Sequence, residues 1–255
     1  MNSGSDFIIA LEDVYKKFGD QQVLNGVTFG IHAGTVTTIM GRSGAGKSVL
    51  IRHMIGLEKP DSGAVFVKGR NIVGMSASEL NRLRRGFGVL FQEGALFDYL
   101  SVKENVAFPI REHLRLHEDE IQRIVEDRLE KVGLRNHQSK FPAELSGGMR
   151  KRVALARALA LDPEIVFFDE PTAGLDPVTK AVIYQLIERT HAERSMTYLI
   201  VSHDVQGALE VSDQVMMLID GKIALHGAPD QVRESSNPAV RQFISGATEG
   251  PLRAD

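Results

Sequence analysis

Residues 35–55 constrain the fold more than any other stretch. Thr35 to Met40 is a β-branched and apolar run. It breaks into Gly41-Arg42-Ser43-Gly44-Ala45-Gly46-Lys47-Ser48, and a helical pattern follows from Lys47 to Ile55. The octet fits G-x-x-x-x-G-K-[ST] between a strand and a helix, and that context separates a phosphate loop from a chance match. Its glycines let backbone N–H groups wrap a phosphate. Lys47 neutralises β/γ oxygens, and the Ser48 hydroxyl suits Mg²⁺.

The rest of the chain follows the same alternation. Phe7 to Leu11, Gly26 to Ile31 and Val65 to Val67 read as strands of period two, with turns such as Lys68-Gly69 between them. Gly56 and Pro60 are stop signals for the helix after the phosphate loop. From Gly94 to Pro163 the pattern is helical, with Ile121, Ile124, Val125 and Leu129 on one face. Ile165 to Phe168 and Tyr198 to Val201 are short apolar strands with a helix, Val178 to Arg189, between them. Strand–helix–strand order of this kind argues for a parallel sheet flanked by helices. Asp220-Gly221, between Val215–Ile219 and Lys222–Leu225, is a hairpin turn. The plan expected is one α/β core entered twice by the chain (residues 6–92 and 164–235), a helical insertion (93–163) and a tail (236–255).

A second anion-binding segment stands far from the first. Leu145-Ser146-Gly147-Gly148-Met149 opens a helix and runs into Arg150-Lys151-Arg152. Two adjacent glycines at a helix start cost stability and bring no side chain to a core. They offer bare N–H groups at the positive end of a helix dipole, beside a serine hydroxyl. Ile165 to Glu170 adds an apolar strand ending in two carboxylates, a costly place for adjacent charges unless a cation or substrate meets them. Asp169 is expected in a Mg²⁺ shell and Glu170 against the attacking water. Gln92, after the strand Val89–Phe91, can supply an amide to the metal or the water. His203, after the strand Leu199–Val201, can hydrogen-bond a γ-phosphate oxygen. Ser202-His203-Asp204 is no catalytic triad, since consecutive strand residues point to opposite faces. His113 and His117 are four apart on a possible helix, but their surroundings are charged throughout, and a solvated face explains them better than a metal.

Composition narrows the function classes. A net charge of −3 over 255 residues shows no nucleic-acid footprint. No cysteine is present, so disulfides and thiolate metal sites are excluded. Met1 to Asp6 is polar, without the basic and apolar regions of a signal peptide. The longest apolar runs, such as Val153 to Leu161, are too short to span a bilayer. A soluble, cytosolic protein that serves a membrane only through a partner is expected.

With these motifs in order, the chain resembles the ATP-binding cassette (ABC) ATPases over nearly its whole length. The resemblance rests on Gly41 to Ser48, the Gln92 loop, Leu145 to Met149, the strand ending Asp169-Glu170, Ala173-Gly174-Leu175-Asp176, and His203. It implies a single domain over residues 1–255: a P-loop NTPase (RecA-like) α/β core with an antiparallel β subdomain and an inserted helical subdomain. ATP and Mg²⁺ are the implied cofactors. Nucleotide contacts would come from Phe18, which resembles the adenine-stacking aromatic, from Gly41, Arg42, Ser43, Gly44, Ala45, Gly46, Lys47, Ser48 and Val49, and from Ser146, Gly147, Gly148 and Asp176. Ser48, Gln92 and Asp169 would hold the metal, while Glu170, His203 and Gln92 would act in hydrolysis. Two copies would pair head to tail, each ATP lying between Lys47 of one copy and Ser146-Gly147-Gly148 of the other. Asp176 would run along that seam, and Gly94 to Val106 would meet a membrane partner. Met149 departs from the family, most members of which have Gln there.

A narrower resemblance lies in Leu90–Asp98, in Pro109–His113 and in the tail, Asn237–Ile244 and Gly246–Pro251. These look like the ATPase of the Mla/MCE phospholipid transporters of Gram-negative envelopes and related organelle systems. That implies a permease, an MCE-domain substrate-binding protein and, as a further candidate, a STAS-domain protein. No nucleic acid is implied. The location implied is peripheral, at the cytoplasmic face of the inner membrane, through the permease. In that subgroup the tail reaches toward the neighbouring ATPase. Read physically, Asn237 caps a short helix with Pro238 in its first turn, and Val240, Phe243 and Ile244 form an apolar stripe that needs a surface, its own domain or a partner's. The alternatives are the ATPase of an amino-acid or other small-solute importer and a non-transport cassette protein. The latter usually carries two cassettes or a long coiled coil. A stand-alone nucleotide switch leaves Leu145–Met149 without a role.

Overall fold

The computed structural model describes residues 7–252. The polar N-terminus, Met1–Asp6, and Arg253–Asp255 lie outside the described residues. In chain order the elements are β1 (Ile9–Phe18), β2 (Gln21–Ile31), β3 (Val36–Met40), α1 (Lys47–Met54), β4 (Ser62–Val67), β5 (Arg70–Asn71), α2 (Ala77–Arg84) and β6 (Phe87–Leu90). Then come α3 (Val102–His113), α4 (Glu118–Lys131), α5 (Gly147–Ala158), β7 (Ile165–Asp169), α6 (Pro177–Arg194) and β8 (Thr197–Ser202). The chain closes with α7 (Val205–Val211), β9 (Gln214–Ile219), β10 (Lys222–Gly227), α8 (Pro229–Arg233) and α9 (Pro238–Ser245). Among the described residues two compact units form, one from residues 7–80 with 199–252, the other from Asn81–Tyr198.

The first unit holds an antiparallel sheet in the order β2-β1-β4-β5. Ile9 sits opposite Ile31 on one side and Val67 on the other, so alternate residues of three strands share one buried face. β1 runs on to Phe18, well past the Leu11 that periodicity marks. A register shift between Leu11 and Val14, with Asp13 at φ 49°, resets the alternation there. β3 lies parallel to β9 and is buried at every position, which is why its sequence is a continuous run and not an alternating one. The β9–β10 turn has Asp220 and Gly221 both at positive φ, as a two-residue hairpin requires.

The tail also belongs to this unit. Asn237 accepts from the Ala239 N–H at 3.0 Å and caps α9. Val240 is fully buried with Met40, Leu209, Val215 and Met217, and Phe243 and Ile244 pack on the same cluster. The apolar stripe therefore lies on its own chain. Gln242 closes the segment beyond it, donating to the Leu252 carbonyl at 2.9 Å and accepting from the Leu252 N–H at 2.7 Å.

His53, in α1, is buried to 1% exposure. Its Nδ1 pairs with the Val49 carbonyl at 2.7 Å, and its Nε2 has no hydrogen-bond partner among the described residues. Burial, with the nearby Lys16 ammonium, holds its pKa below the ordinary 6.5. A histidine with a depressed folded pKa binds fewer protons folded than unfolded, so it removes stability as pH falls through 6.5 toward the folded value. Thermal unfolding at pH 7.5 and 5.5 should show a larger loss for the natural chain than for His53→Leu. Equal losses would contradict this.

In the second unit β6 and β7 pair in parallel, Phe87 opposite Ile165 through Leu90 opposite Phe168. α5 packs against α3, α4, α6 and β6 and forms the centre of the unit. Ile121, Val125 and Leu129 of α4 are buried, with Ile124 half-buried beside them, so the apolar face expected there exists. α3 opens with a reciprocal cap: Ser101 accepts from the Glu104 N–H, and Glu104 accepts from the Ser101 N–H at 2.7 Å. His113 ends α3 and His117 precedes α4, with Leu114 extended between them, so the two do not share a helix. Among the described residues no group of three His, Cys, Asp or Glu could hold a metal, and no helix is long and apolar enough to cross a membrane.

Candidate functional site

The expected site residues fall into two sets, one in each unit. In the first unit, the loop Gly41–Gly46 leaves β3 and enters α1 through Gly46 at φ 99°. A side chain at Gly41 would put Cβ 2.5 Å from the Leu218 carbonyl oxygen, a backbone atom that cannot swing away. The loop therefore reaches its shape only with glycine there. Lys47 is 6% exposed, and its Nζ donates to the Gly41 and Arg42 carbonyls at 2.8 and 2.9 Å. That holds the ammonium inside the loop. Ser48 and Val49 follow in the first turn of α1, half-buried. A cavity of about 230 Å³ borders Gly41–Ala45 and is also lined by Gln21–Val23, the Leu218–Gly221 turn, Phe243 and Leu252.

Phe18 ends β1 with its ring 46% exposed. One side is occupied by the Lys16 ammonium, 5.1 Å from the ring centre. Lys16 in turn is fixed by Glu58 at 2.6 Å and by the Lys59 carbonyl at 2.9 Å. An aromatic anchored this way can offer a flat face to a base. His203 follows β8 and is exposed. Its neighbours are committed elsewhere: Ser202 Oγ accepts from the Asp204 N–H at 3.0 Å, and Asp204 caps α7.

In the second unit, Ser146 is the N-cap of α5 and accepts from the Met149 N–H at 3.3 Å. A hydroxyl that accepts still has its proton to donate. The first-turn N–H groups of Gly147 and Gly148 have no acceptor within the helix, as at any helix start. Asp169 ends β7, half-buried. Glu170 is 7% exposed, with its backbone in the left-handed region at φ 49°. Gln92 lies exposed beyond β6. Gln92 and Gly147 border one cavity of about 310 Å³, with Glu93, Arg150, Lys151 and Ala173–Leu175. Asp176 caps α6. Its carboxylate accepts from the Thr179 hydroxyl and from the Thr179 and Val178 N–H groups, which hold its pKa below the usual range.

Sequence reasoning missed Lys151. It is 6% exposed, and its Nζ donates to the Gln92 and Glu170 carbonyls. Burial lowers its pKa, while Glu93, Asp169 and Glu170 oppose that. The charged run Arg150-Lys151-Arg152 hides it, but Gly148, Lys151, Leu155 and Ala158 fall on one buried stripe of α5. Arg157 was also passed over. It donates to the Gly94 and Ala95 carbonyls at 2.7 Å each and lies over the Phe97 ring. Asn105, fully buried, holds Phe97, Leu100 and Ser101 through their carbonyls. The irregular segment after Gln92 is thereby fixed, with Tyr99 74% exposed at its surface.

Ser48 in the first unit, and Gln92 and Asp169 in the second, each carry an oxygen donor of the kind that Mg²⁺, a hard cation that takes few protein ligands, accepts. Residues 24–173 match the family model described as ABC transporter. The chain is 45% identical to a probable ribonucleotide transport ATP-binding protein, mkl, of Mycobacterium leprae, over 96% of this chain and 70% of that one. It is 41% identical to the intermembrane phospholipid transport system ATP-binding protein MlaF of Haemophilus influenzae, over 96% of this chain and 93% of that one. Among solved structures it is similar to the dimeric ATP-binding cassette MJ0796 in a post-hydrolysis state with ADP and phosphate. The TM-score is 0.80 and the identity 31%, over 87% of this chain and 98% of the other.

Proposed function

The chain belongs to the ABC transporter family, whose cassettes hydrolyse ATP to drive transport, and from that premise we propose that it powers phospholipid movement between two membranes. One observation carries the cargo: 41% identity to a phospholipid-transport ATPase across 93% of that relative's length. The mkl relative, named for ribonucleotide transport, is matched over a smaller share of its own length, 70%.

In this reading the Gly41–Val49 loop binds the phosphates, Phe18 carries the adenine, and Ser48, Gln92 and Asp169 hold the Mg²⁺. Mg²⁺ held by these residues would supply charge neutralisation at the β- and γ-phosphates. Glu170 orients and polarises the attacking water with Gln92 beside it, and His203 donates to a γ-phosphate oxygen. The water oxygen bonds to the γ-phosphorus as the bond to the β-phosphate bridge breaks, releasing ADP and phosphate. Ser146-Gly147-Gly148 serves the nucleotide of a second copy, and Asp176 lies on that seam. Residues 93–163 form the helical arm, within which the segment Gly94–Val106 presents Tyr99 beside Phe97 to a permease. An MCE-domain protein and a STAS-domain protein complete the complex, at the cytoplasmic face of the inner membrane.

The test is purification of the chain with its native membrane partners, followed by mass spectrometry of bound small molecules. Co-purifying phospholipid with an MCE-domain protein supports the proposal. A permease with an amino-acid receptor, or bound ribonucleotide cargo and no lipid, would overturn it.

A further inference from the structure

We propose that Lys151 is a positioning residue for hydrolysis, a buried ammonium that fixes the backbones of Gln92 and Glu170 relative to each other and so sets where their side chains stand. The inference rests on the reading that these two residues act on the attacking water.

The geometry is unusual for a lysine. An ammonium is costly to bury and persists only where acceptors replace its water. Lys151 finds them in the main chain of two segments far apart in sequence, the Glu170 carbonyl at 3.1 Å and the Gln92 carbonyl. Neither segment is regular at that point. Gln92 lies past the end of β6, and Glu170 lies past the end of β7. Neither carbonyl is therefore placed by a sheet ladder, and the side chain from α5 ties them together.

Glu170 has a particular need for this tie. A non-glycine residue in the left-handed region is strained, and the strain is kept only where the surroundings impose it. Its φ is 49°, and Lys151 holds that residue's own carbonyl. The same carbonyl also accepts from the Ala173 N–H, at 3.2 Å; without the ammonium it loses its charged donor, the turn bond holds it less firmly, and the peptide after Glu170 can shift together with the carboxylate. Displacements of about 1 Å at a reacting group cost on the order of 10²-fold in rate. The tie also reaches the other end of α5. Ser146, Gly147 and Gly148 open the same helix, so the helix start and the ammonium that holds the Glu170 carbonyl belong to one element.

The test uses the full chain with ATP and Mg²⁺. Lys151→Met, close in length but without donors, should lower kcat on the order of 10–100-fold while KM stays within about twofold. Lys151→Arg, which can reach both carbonyls, should recover most of the rate. If Lys151→Met fails to fold, Lys151→Gln keeps a neutral donor and should lose rate in the same way. A Met variant with natural kcat overturns the inference, and so does a loss that Arg does not repair. Glu170→Gln is measured beside them. If that variant hydrolyses at the natural rate, the reading of Glu170 has failed. If it is dead and Lys151→Met is not, only the present inference has failed.

Discussion

Glu170→Gln should bind ATP about as well as the natural chain and lose hydrolysis by roughly 10²–10⁴-fold, the span attributed to a positioned general base. The exchange is nearly isosteric, and the site around Glu170 is built from backbone: a left-handed φ of 49° and a carbonyl held by Lys151. Glutamine can keep both. What it cannot do is accept the water's proton. In the proposed reading, phosphate binding depends on the Gly41–Ser48 loop and Lys47, which the substitution does not touch. The variant should therefore accumulate with uncleaved ATP, and as a dimer if the nucleotide closes two copies on each other. Gel filtration with and without ATP and Mg²⁺, alongside a phosphate-release assay, reads both. Turnover within a few-fold of the natural chain would remove Glu170 from its role.

The elements whose signals are local were legible in the sequence. The phosphate loop, the apolar strand before Asp169, the Asp220-Gly221 hairpin and the Asn237 cap each follow from neighbours along the chain, and each stands where its residues put it. Features that depend on residues distant in sequence were not legible. β1 continues to Phe18 because a shift of register resets its alternation, and only the partner strand β2 reveals that. The short helix α2 has one buried residue, Leu80, too little to make a periodic pattern. Lys151 looks like a solvated charge until Gln92 and Glu170 are brought to it, across 59 and 19 residues of chain. The tail stripe could have fitted its own domain or another, and hydropathy alone does not choose between surfaces.

The proposed sharing of each site between two copies makes a prediction that no single-chain mechanism allows. Lys47→Ala removes the ammonium that lies across the Gly41 and Arg42 carbonyls, and it should abolish ATP hydrolysis in a uniform sample. Gly147→Asp should abolish it differently, by putting a carboxylate at the helix start that is proposed to meet a phosphate. Gly147 is the right glycine to change. A Cβ there lies 3.3 Å from the end of the Leu175 side chain, which can give, whereas at Gly148 it would lie 2.4 Å from Thr179 Cγ2. The Asp variant should fold and still fail. In a head-to-tail pair of the two variants, one site combines both defects and the other combines natural Lys47 with natural Gly147. Statistical mixing makes half the dimers mixed, each with one intact site of two, so activity should return to about a quarter of the natural rate when each site is independent. Neither parent alone has such a site, and exchange of subunits is the only way to build one. If each nucleotide were completed by the Gly147 helix of its own chain, every site in the mixture would still carry a defect, and mixing would restore nothing. A phosphate-release assay on the separate and mixed variants decides between them.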